Sequence, residues 1–479
     1  GTGATFGSAG TVTGNLTVAG TLSPGASPGT MVVNGNVALA ASSTSVFEIT
    51  PAASDLLRIS GALTIAQGAT LQLVADQRVA PGQSLDLITA TGGISGSFTN
   101  VVRPASLFGF VVQDAQRIAL VGAFLNDPAF APPVQGAVAY VNDLLTAGLA
   151  SPALLTAVPL LLDPAGGTSA GAFAQLTPQP YAAATQLVVE QGLELARTAR
   201  GDAFAAPGDT PRPFAFAAAL GRTDELAGGA GVARARSDSY GVIGGLGWGS
   251  QAFSVGAFIG TLDQRQHLRT LGARTDADGL VAGVHARWSG NALGVKASIA
   301  YADGDATTVR AVPGGRATGG YNLTGWTADL ALDYAVALDG GWTLRPGIGA
   351  TAIRATRQRT AESGDTPFRL DVARDRYEAV FVDGTVTLLR DRAAPIRPHL
   401  TAGLRYRVDG DRPGALAALP GGPLTLSAFG AARAALTAHG VLGAEAAVTR
   451  NLTVFGSVAG EAGENTSQGS GQVGLRVAF

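Results

Sequence analysis

The sequence has 479 residues, with 67 glycines and no cysteine, and charged residues make up only 14% of it. Its mean hydropathy is +0.24 and its formal net charge is −2. The composition therefore excludes disulfides, thiol catalysis and cysteine metal sites, and the charge gives no reason to expect nucleic-acid binding. Because no run of about 18 apolar residues could span a bilayer as a helix, the apolar residues are expected to alternate in strands.

Residues 1–122 are predicted to form a β-solenoid. Short β-forming segments such as residues 45–49 (SVFEI) and 70–74 (TLQLV) alternate with turn signals such as residues 23–25 (SPG). The spacing, one strand per ~8–15 residues, is typical of stacked coils. The sequence opens at Gly1 without a Met or a signal segment, and we expect a mature or truncated product from which a targeting segment has been removed.

Residues 123–179 are predicted to be a helical linker, with Val141, Leu144, Leu145 and Leu149 on one helix face. A second helix is expected over residues 180–203, starting near Pro180 because proline is tolerated in a first turn. Its length of about 30 Å suffices to cross a hydrocarbon core, but its side chains are too polar to face lipid. They suit a water-filled pore, and the predicted pore-helix residues are Tyr181, Gln186, Glu190, Glu194 and Arg197.

Residues 204–479 are predicted to form a transmembrane β-barrel of twelve strands. In residues 324–338 the apolar Trp326, Leu330 and Tyr334 alternate with the polar Thr327 and Asp329. Aromatic residues at the ends of apolar strand faces match the interface girdles of such barrels. Short turns at residues 249–250, 290–291, 339–341 and 450–451 alternate with longer segments at residues 262–276, 303–320, 358–369 and 409–431, which we expect to be extracellular loops. A large soluble β-sandwich is the alternative fold.

The polar strand faces carry opposite charges that are expected to meet in the lumen. The predicted lumen charges are Asp329, Asp333 and Glu445 facing Arg287, Lys296, Arg345, Arg405 and Arg476. Two interpretations stay open: these charges form a contact surface for the helix, or they form a salt-bridge network that fills the barrel.

Two catalytic or metal-binding possibilities are weak. Ser169 lies in a G-x-S-x-G pattern, but the residues before it form a loop instead of the buried strand that a nucleophile elbow needs. The histidines show no metal-ligand spacing, and His285 and His399 are expected to be hydrogen-bonded pore residues. We therefore expect no enzyme activity and no cofactor or metal.

Several motifs in order along the chain resemble those of autotransporters, the type V secretion proteins of Gram-negative bacteria. Residues 20–30 (GTLSPGASPGT) look like the passenger-associated repeat, and residues 55–98, from DLLRISG through GISGSF, are similar to the segment that closes a passenger β-helix. Residues 174–181 (AQLTPQPY) look like the motif before a pore helix. The chain end, with Gly474, Val477 and Phe479, resembles the signal read by the barrel-assembly machinery, although Val473 stands where a polar residue is more usual.

The resemblance implies an all-β protein: a 12-stranded barrel with a lumen α-helix, a short helical linker, and the remnant of a β-solenoid passenger. It also implies an outer-membrane translocator that anchors and helps to export its own passenger to the cell surface, with the helix plugging the barrel. The expected partners are outer-membrane lipid and lipopolysaccharide, the barrel-assembly machinery, periplasmic chaperones and a surface or host ligand of the passenger, and the barrel is expected to be a monomer. Self-cleavage of the kind that uses an Asn in the helix is not expected, because residues 181–200 contain neither Asn nor Asp.

Three alternative functions stay open. The retained solenoid could itself act as an adhesin or scaffold, the chain could be a surface esterase that uses Ser169, or the barrel could be a passive porin.

Overall fold

The computed structural model describes residues 3–75, 79–104, 107–206, 208–229, 231–390 and 394–479. Gly1, on which the processed N-terminus was predicted, lies outside these residues. The chain divides into two compact units, one comprising residues 1–130 and 137–170 and the other residues 131–136 and 171–479.

The first unit is built from short strands stacked as a parallel β-helix. In chain order its described strands are β1 (Thr5–Ser8), β2 (Thr11–Thr13), β3 (Leu16–Val18), β4 (Thr21–Pro24), β5 (Thr30–Asn34), β6 (Val37–Leu39), β7 (Thr44–Ile49), β8 (Leu56–Ile59), β9 (Leu63–Ile65), β10 (Thr70–Ala75), β11 (Ser84–Ala90), β12 (Ile94–Ser95), β13 (Asn100–Val102), β14 (Gly109–Gln113) and β15 (Arg117–Gly122).

Each coil of the β-helix contributes one strand to each of three parallel stacks. These are β1-β4-β7-β10-β13, β2-β5-β8-β11 and β3-β6-β9-β12. The antiparallel hairpin β14–β15 pairs with β11 and extends the second sheet. The predicted solenoid is thus confirmed.

Alternation along the β-helix strands places the apolar side chains inside. Leu22, Met31 and Phe47 are completely buried in one continuous core. An asparagine ladder runs along one corner, where Asn36 N donates to Asn15 Oδ1 (2.9 Å) and Ala62 N donates to Asn36 Oδ1 (2.8 Å). The interior is therefore apolar, while side-chain amides satisfy backbone groups at the turns.

Helices follow the β-helix in the chain. They are α1 (Pro132–Thr146), α2 (Pro152–Ala157), α3 (Ala170–Ala174) and α4 (Gln179–Arg200), with 3-10 turns at Val158–Leu161, Asp202–Phe204 and Arg269–Leu271. Val141, Leu144 and Leu145 are buried on α1 as predicted, but Leu149 lies beyond the helix end and is exposed. None of the helices in the described ranges has both the length and the apolar character to cross a membrane.

The second unit is an antiparallel barrel with an accessory sheet. Its described strands are β16 (Arg212–Leu226), β17 (Ala235–Gly249), β18 (Phe253–Leu268), β19 (Ala273–Ser289), β20 (Leu293–Val312), β21 (Gly315–Tyr334), β22 (Val336–Leu338), β23 (Trp342–Arg357), β24 (Thr360–Ala361), β25 (Asp371–Val372), β26 (Asp375–Arg390), β27 (Ile396–Asp409), β28 (Gly414–Ala418), β29 (Leu426–Phe429), β30 (Leu436–Ala447), β31 (Leu452–Gly463) and β32 (Thr466–Ala478).

The barrel closes when the first strand pairs with the last. β16 and β32 pair antiparallel from Phe214↔Ala478 to Leu226↔Thr466. Because β21 and β22 are one strand interrupted at Ala335, the described residues form twelve barrel strands, and the predicted count is confirmed. The short strands β24, β25, β28 and β29 form a separate four-stranded sheet from the long connections.

The predicted alternation of β21 is also confirmed. Trp326 and Leu330 are about half exposed, whereas Thr327 and Asp329 are buried on the opposite face. The outer surface of the barrel is thus apolar, and its interior holds the polar groups, as a lipid-facing barrel requires.

Two of the four loop predictions are wrong. Residues 262–276 belong largely to β18 and β19, and residues 303–320 to β20 and β21, with only a tight turn between each pair. These strands continue beyond the apolar belt, where their outward side chains become polar, such as Asp263, Arg265 and Asp305. The segments at residues 358–369 and 409–431 do connect strands, as predicted, and they contribute the accessory sheet.

Candidate functional site

The lumen of the barrel is occupied by helix α4. The helix has 22 residues, a length of about 33 Å at 1.5 Å per residue, and 19 of these residues are buried. It contacts the barrel strands β18 to β21 and β23, and the accessory strands β28 and β29. The predicted start at Pro180 is one residue later than the observed start at Gln179.

Glycines allow the helix to approach the barrel wall closely. A Cβ atom on Gly192 would lie 2.5 Å from Thr327 Oγ1 and 2.9 Å from Ile353 Cδ1. Across the same contact, a Cβ atom on Gly325 of the wall would lie 2.4 Å from a methyl group of Val188. A side chain at either position would force its neighbours to shift, so the helix and wall are in direct packing contact there.

The N-terminal end of the helix is held by buried polar contacts. Tyr181 Oη donates to Glu362 Oε1 at 2.6 Å, and the same carboxylate accepts two bonds of 2.7 Å from Arg310. The side-chain amide of Gln179 pairs with the backbone of Ala233 through bonds of 3.0 and 3.1 Å. Arg310 and Glu362 are almost completely shielded from solvent.

The middle of the helix is joined to a buried ion-pair network. Glu190 accepts from Arg433 and, at 2.8 Å, from Gln186 Nε2. Arg433 also contacts Glu461, which in turn accepts a 2.6 Å bond from Arg405. Each charge in this ion-pair network has a partner of opposite charge, as burial requires.

The C-terminal end of the helix contacts two carboxylates and one cation of the barrel wall. Arg200 binds Asp329 at 2.7 Å and Asp383 at 2.8 Å. The side chains of both aspartates are only 1% exposed. Thr351 also donates to Asp329 at 2.7 Å. Arg287 donates to the backbone carbonyls of residues 199–201. A cation there stabilises the negative end of the helix dipole.

The remaining predicted lumen charges pair away from the helix. Asp333 is 3.2 Å from Lys296 and 3.4 Å from Arg345, and Glu445 is 2.7 Å from Arg476. Arg197, the last predicted pore-helix residue, pairs within the helix with Glu194. The lumen therefore contains both predicted arrangements: Asp329 contacts the helix, whereas Asp333 and Glu445 form salt bridges of the wall.

Sequence reasoning missed the most buried partners of the helix. Arg310, Glu362, Asp383, Arg433 and Glu461 were not predicted as site residues. Asp383 and Glu461 could have been found, because each lies inward on a strand whose neighbours alternate. Glu362 and Arg433 lie in connections between strands, where no periodicity identifies the buried side.

The histidine prediction is wrong for His285. Its ring packs edge-on against Phe204, with centroids 4.5 Å apart, and neither ring nitrogen has a hydrogen-bond partner among the described residues. His399 lines a cavity in the lumen. No group of three or more His, Asp or Glu side chains within the described ranges is placed to hold a metal ion.

Ser169 lies directly before the short helix α3 and after an isolated bridge between Leu162 and Thr168. The loop before it is organised by Asp163, whose carboxylate accepts from Ala165 N at 2.9 Å and Gly167 N at 2.7 Å. The local geometry is thus a loop that leads into a five-residue helix.

The predicted assembly signal forms the seam of the barrel. Phe479 is 68% exposed, and its backbone N donates to Pro213 O at 3.0 Å. A Cβ atom on Gly474 would lie 2.5 Å from the Phe455 ring, so this glycine leaves room for an aromatic side chain inside the barrel. Val477 lies in β32, between Gly474 and Phe479 in the sequence.

A family profile and the fold of one solved structure agree with this architecture. Residues 215–459 match the profile of the autotransporter beta-domain. The translocator domain of the autotransporter NalP from Neisseria meningitidis superposes with a TM-score of 0.53 at 13% identity, covering 63% of this chain and all of that one. The transport unit of AIDA-I from Escherichia coli gives 0.47 at 17% identity, covering 63% and 99%. The Bordetella BrkA beta domain gives 0.42 at 14%, covering 57% and 100%. No curated protein sequence matches the chain.

Proposed function

Since the chain belongs to the autotransporter family and is an outer-membrane translocator of Gram-negative bacteria, we propose that it anchors its own passenger at the cell surface while helix α4 plugs the barrel. The β-helix is the retained part of that passenger. The observation that carries the plug is the burial of the helix: polar contacts hold it near Tyr181, Glu190 and Arg200.

The burial pattern favours a settled plug over a segment that moves freely in the lumen. Glu190 is 1% exposed and shares Arg433 with Glu461. Withdrawal of the helix would leave Arg433 with one carboxylate fewer in a shielded site, which is costly. The helix is therefore expected to block ion flow after export has ended.

Conductance in planar bilayers tests the plug. The intact chain should conduct weakly, and a barrel of residues 204–479 should conduct several times more. The double variant Tyr181→Phe, Glu190→Ala should increase the frequency of opening, whereas the matched lipid-facing variant Ile348→Ala should not. Equal conductance of the intact chain and the isolated barrel would contradict the plug, and weak conductance of both would show that the barrel wall itself blocks ions.

Protease treatment of intact cells tests the display of the passenger. If the short turns face the periplasm, both ends of the barrel sequence lie on that side, and α4 leads the chain through the lumen to the outside. Added protease should then remove the β-helix and leave the barrel. A β-helix that is degraded only after the outer membrane is permeabilised would be incompatible with surface display.

The chain end is proposed to be recognised by the barrel-assembly machinery. Phe479→Ser should lower the amount of folded barrel in the outer membrane. Phe253→Ser is a matched control, because Phe253 is also an exposed aromatic residue at the end of a barrel strand. Equal losses in both variants would assign the effect to the lipid interface instead of to recognition.

A further inference from the structure

A cavity of about 280 Å³ lies in the lumen beside the C-terminal end of helix α4. Among the described residues, its wall includes eight arginine and lysine side chains and three carboxylates, those of Asp333, Glu445 and Glu461. When the two lining histidines are left out of the count, the described wall has an excess of five positive charges. This imbalance is unusual in a network that otherwise pairs its buried charges.

The excess remains when the ion-pair partners behind the wall are included. Arg433 and Arg476 add two cations, and Glu190, Glu194, Asp329 and Asp383 add four carboxylates. The described cluster then has ten cations and seven carboxylates, an excess of three. The described residues around the cavity therefore carry a net positive charge even when the ion-pair partners of its lining are counted.

Part of the excess arises where one carboxylate contacts two cations. Asp333 lies 3.2 Å from Lys296 Nζ and 3.4 Å from an Arg345 nitrogen, so one anionic group holds both cations near the cavity. The Nε atoms of Arg345 and Arg405 are buried and have no acceptor among the described residues. Buried guanidinium N–H groups without an acceptor are suited to bind an anion that has several acceptor oxygens.

We propose that this cavity is a binding site for a small, multiply charged oxyanion of the phosphate class, with Lys296 and Arg345 as its direct ligands. The volume equals that of about nine water molecules at roughly 30 Å³ each, which accommodates such an ion with part of its hydration shell. It is slightly smaller than the range of about 300–1,000 Å³ that is typical of sites for larger small molecules. Asp333 competes with the anion for the two ligands.

Calorimetric titration of the full chain in a non-ionic detergent with sodium phosphate tests this site, with sodium chloride at matched ionic strength as the reference. Phosphate should give saturable heat and chloride should not. Lys296→Gln and Arg345→Gln should each weaken phosphate binding about tenfold, as expected for loss of a charged hydrogen bond. Arg354→Gln is the matched control, because Arg354 pairs with Glu378 on the exposed outer surface.

Asp333→Asn separates a ligand site from a merely structural salt bridge. Removal of the competing carboxylate should strengthen phosphate binding, whereas a structural role would leave it unchanged or weaken it. Heat-modifiable migration on gels establishes that each variant is a folded barrel. Absence of saturable phosphate binding, equal heat from chloride, or unchanged or weaker binding by folded Asp333→Asn would overturn the site. None of these results depends on whether α4 blocks conductance.

Discussion

The strands of the β-helix and of the barrel show the same two-residue alternation of apolar and polar side chains. The β-helix buries the apolar side chains, whereas the barrel buries the polar ones. In the β-helix, Leu22 and Phe47 are completely buried and the alternate side chains face outward. In the barrel, Leu246 is 69% exposed, whereas Arg310 and Arg476 are 1% exposed. Periodicity therefore identifies strands in both regions, but only the surrounding solvent decides which face is inside.

The energetic consequences of this inversion differ. The β-helix is stabilised by removal of apolar surface from water, which requires no partner for each side chain. The barrel interior is stabilised by charges that must be paired, because a lone buried charge is costly. Truncation of one buried group should thus act through lost packing in one region and through an orphaned charge in the other.

The largest effect is expected from Arg433→Met in the barrel. Arg433 contacts both Glu190 and Glu461, so its loss leaves two buried carboxylates without this cation and should destabilise the barrel by about 3–5 kcal/mol. The four tryptophans all lie in the barrel, so their fluorescence during urea unfolding measures this loss. Arg354→Met, which breaks an exposed pair with Glu378, should cost about 0–1 kcal/mol. Similar losses in the two variants would mean that burial of the Arg433 network adds nothing.

Phe47→Ala probes the apolar core of the β-helix. The side chain is fully buried, and removal of its ring should cost about 3–5 kcal/mol. Limited proteolysis should detect faster cleavage within the β-helix while tryptophan fluorescence of the barrel stays unchanged. Val74→Ala, at a 40% exposed position in the same unit, should have little effect. A simultaneous shift of the tryptophan signal would show that the two regions unfold together.

The sequence was most informative where one face of a strand stays apolar along its length. Residues 324–338 follow this rule and were predicted correctly. The rule failed for residues 262–276 and 303–320, because above the apolar belt the outward faces of the strands become polar, with Asp263 and Asp305 directed outward. Hydropathy cannot distinguish such strands from loops, although the backbone pairing continues through them.

The candidate site was predictable to the same limited degree. Asp329 and Glu190 were identified because each lies on the polar face of a periodic element. Their partners depend on tertiary placement: Arg200 reaches Asp329 from the last helical turn, and Arg433 reaches Glu190 from a connection between strands. Sequence periodicity therefore predicted inward-facing charges but not which of them would meet.

A lipid-facing charge tests the outer surface of the barrel. Ile348 is 64% exposed on an apolar outer face, and Ile348→Arg should cost about 2–4 kcal/mol near the middle of the bilayer. Refolding into lipid vesicles, followed by urea titration, measures this cost. Thr385→Glu is the control, because Thr385 lies on the next strand and faces the lumen cavity, where a carboxylate would have cationic neighbours. A larger penalty for the lumen variant would reverse the assignment of the two faces.

The smallest expected effect concerns Asp55, a buried carboxylate that interrupts the apolar pattern of the β-helix. Asp55 is 2% exposed, and burial raises its pKa above the usual aspartate range, although backbone N–H donors of Gly29 and Glu48 oppose the shift. Because the folded state holds the proton more tightly, the stabilising contribution of this titration is complete below the unfolded-state pKa and is lost as pH rises through the folded-state pKa. Raising the pH across the acidic range should therefore lower the stability of the natural β-helix relative to that of Asp55→Asn. Limited proteolysis at each pH measures this difference. A difference that favours Asp55 increasingly as pH rises would mean that the backbone donors outweigh burial, and that even the β-helix interior can hold a charge when its hydrogen bonds are complete.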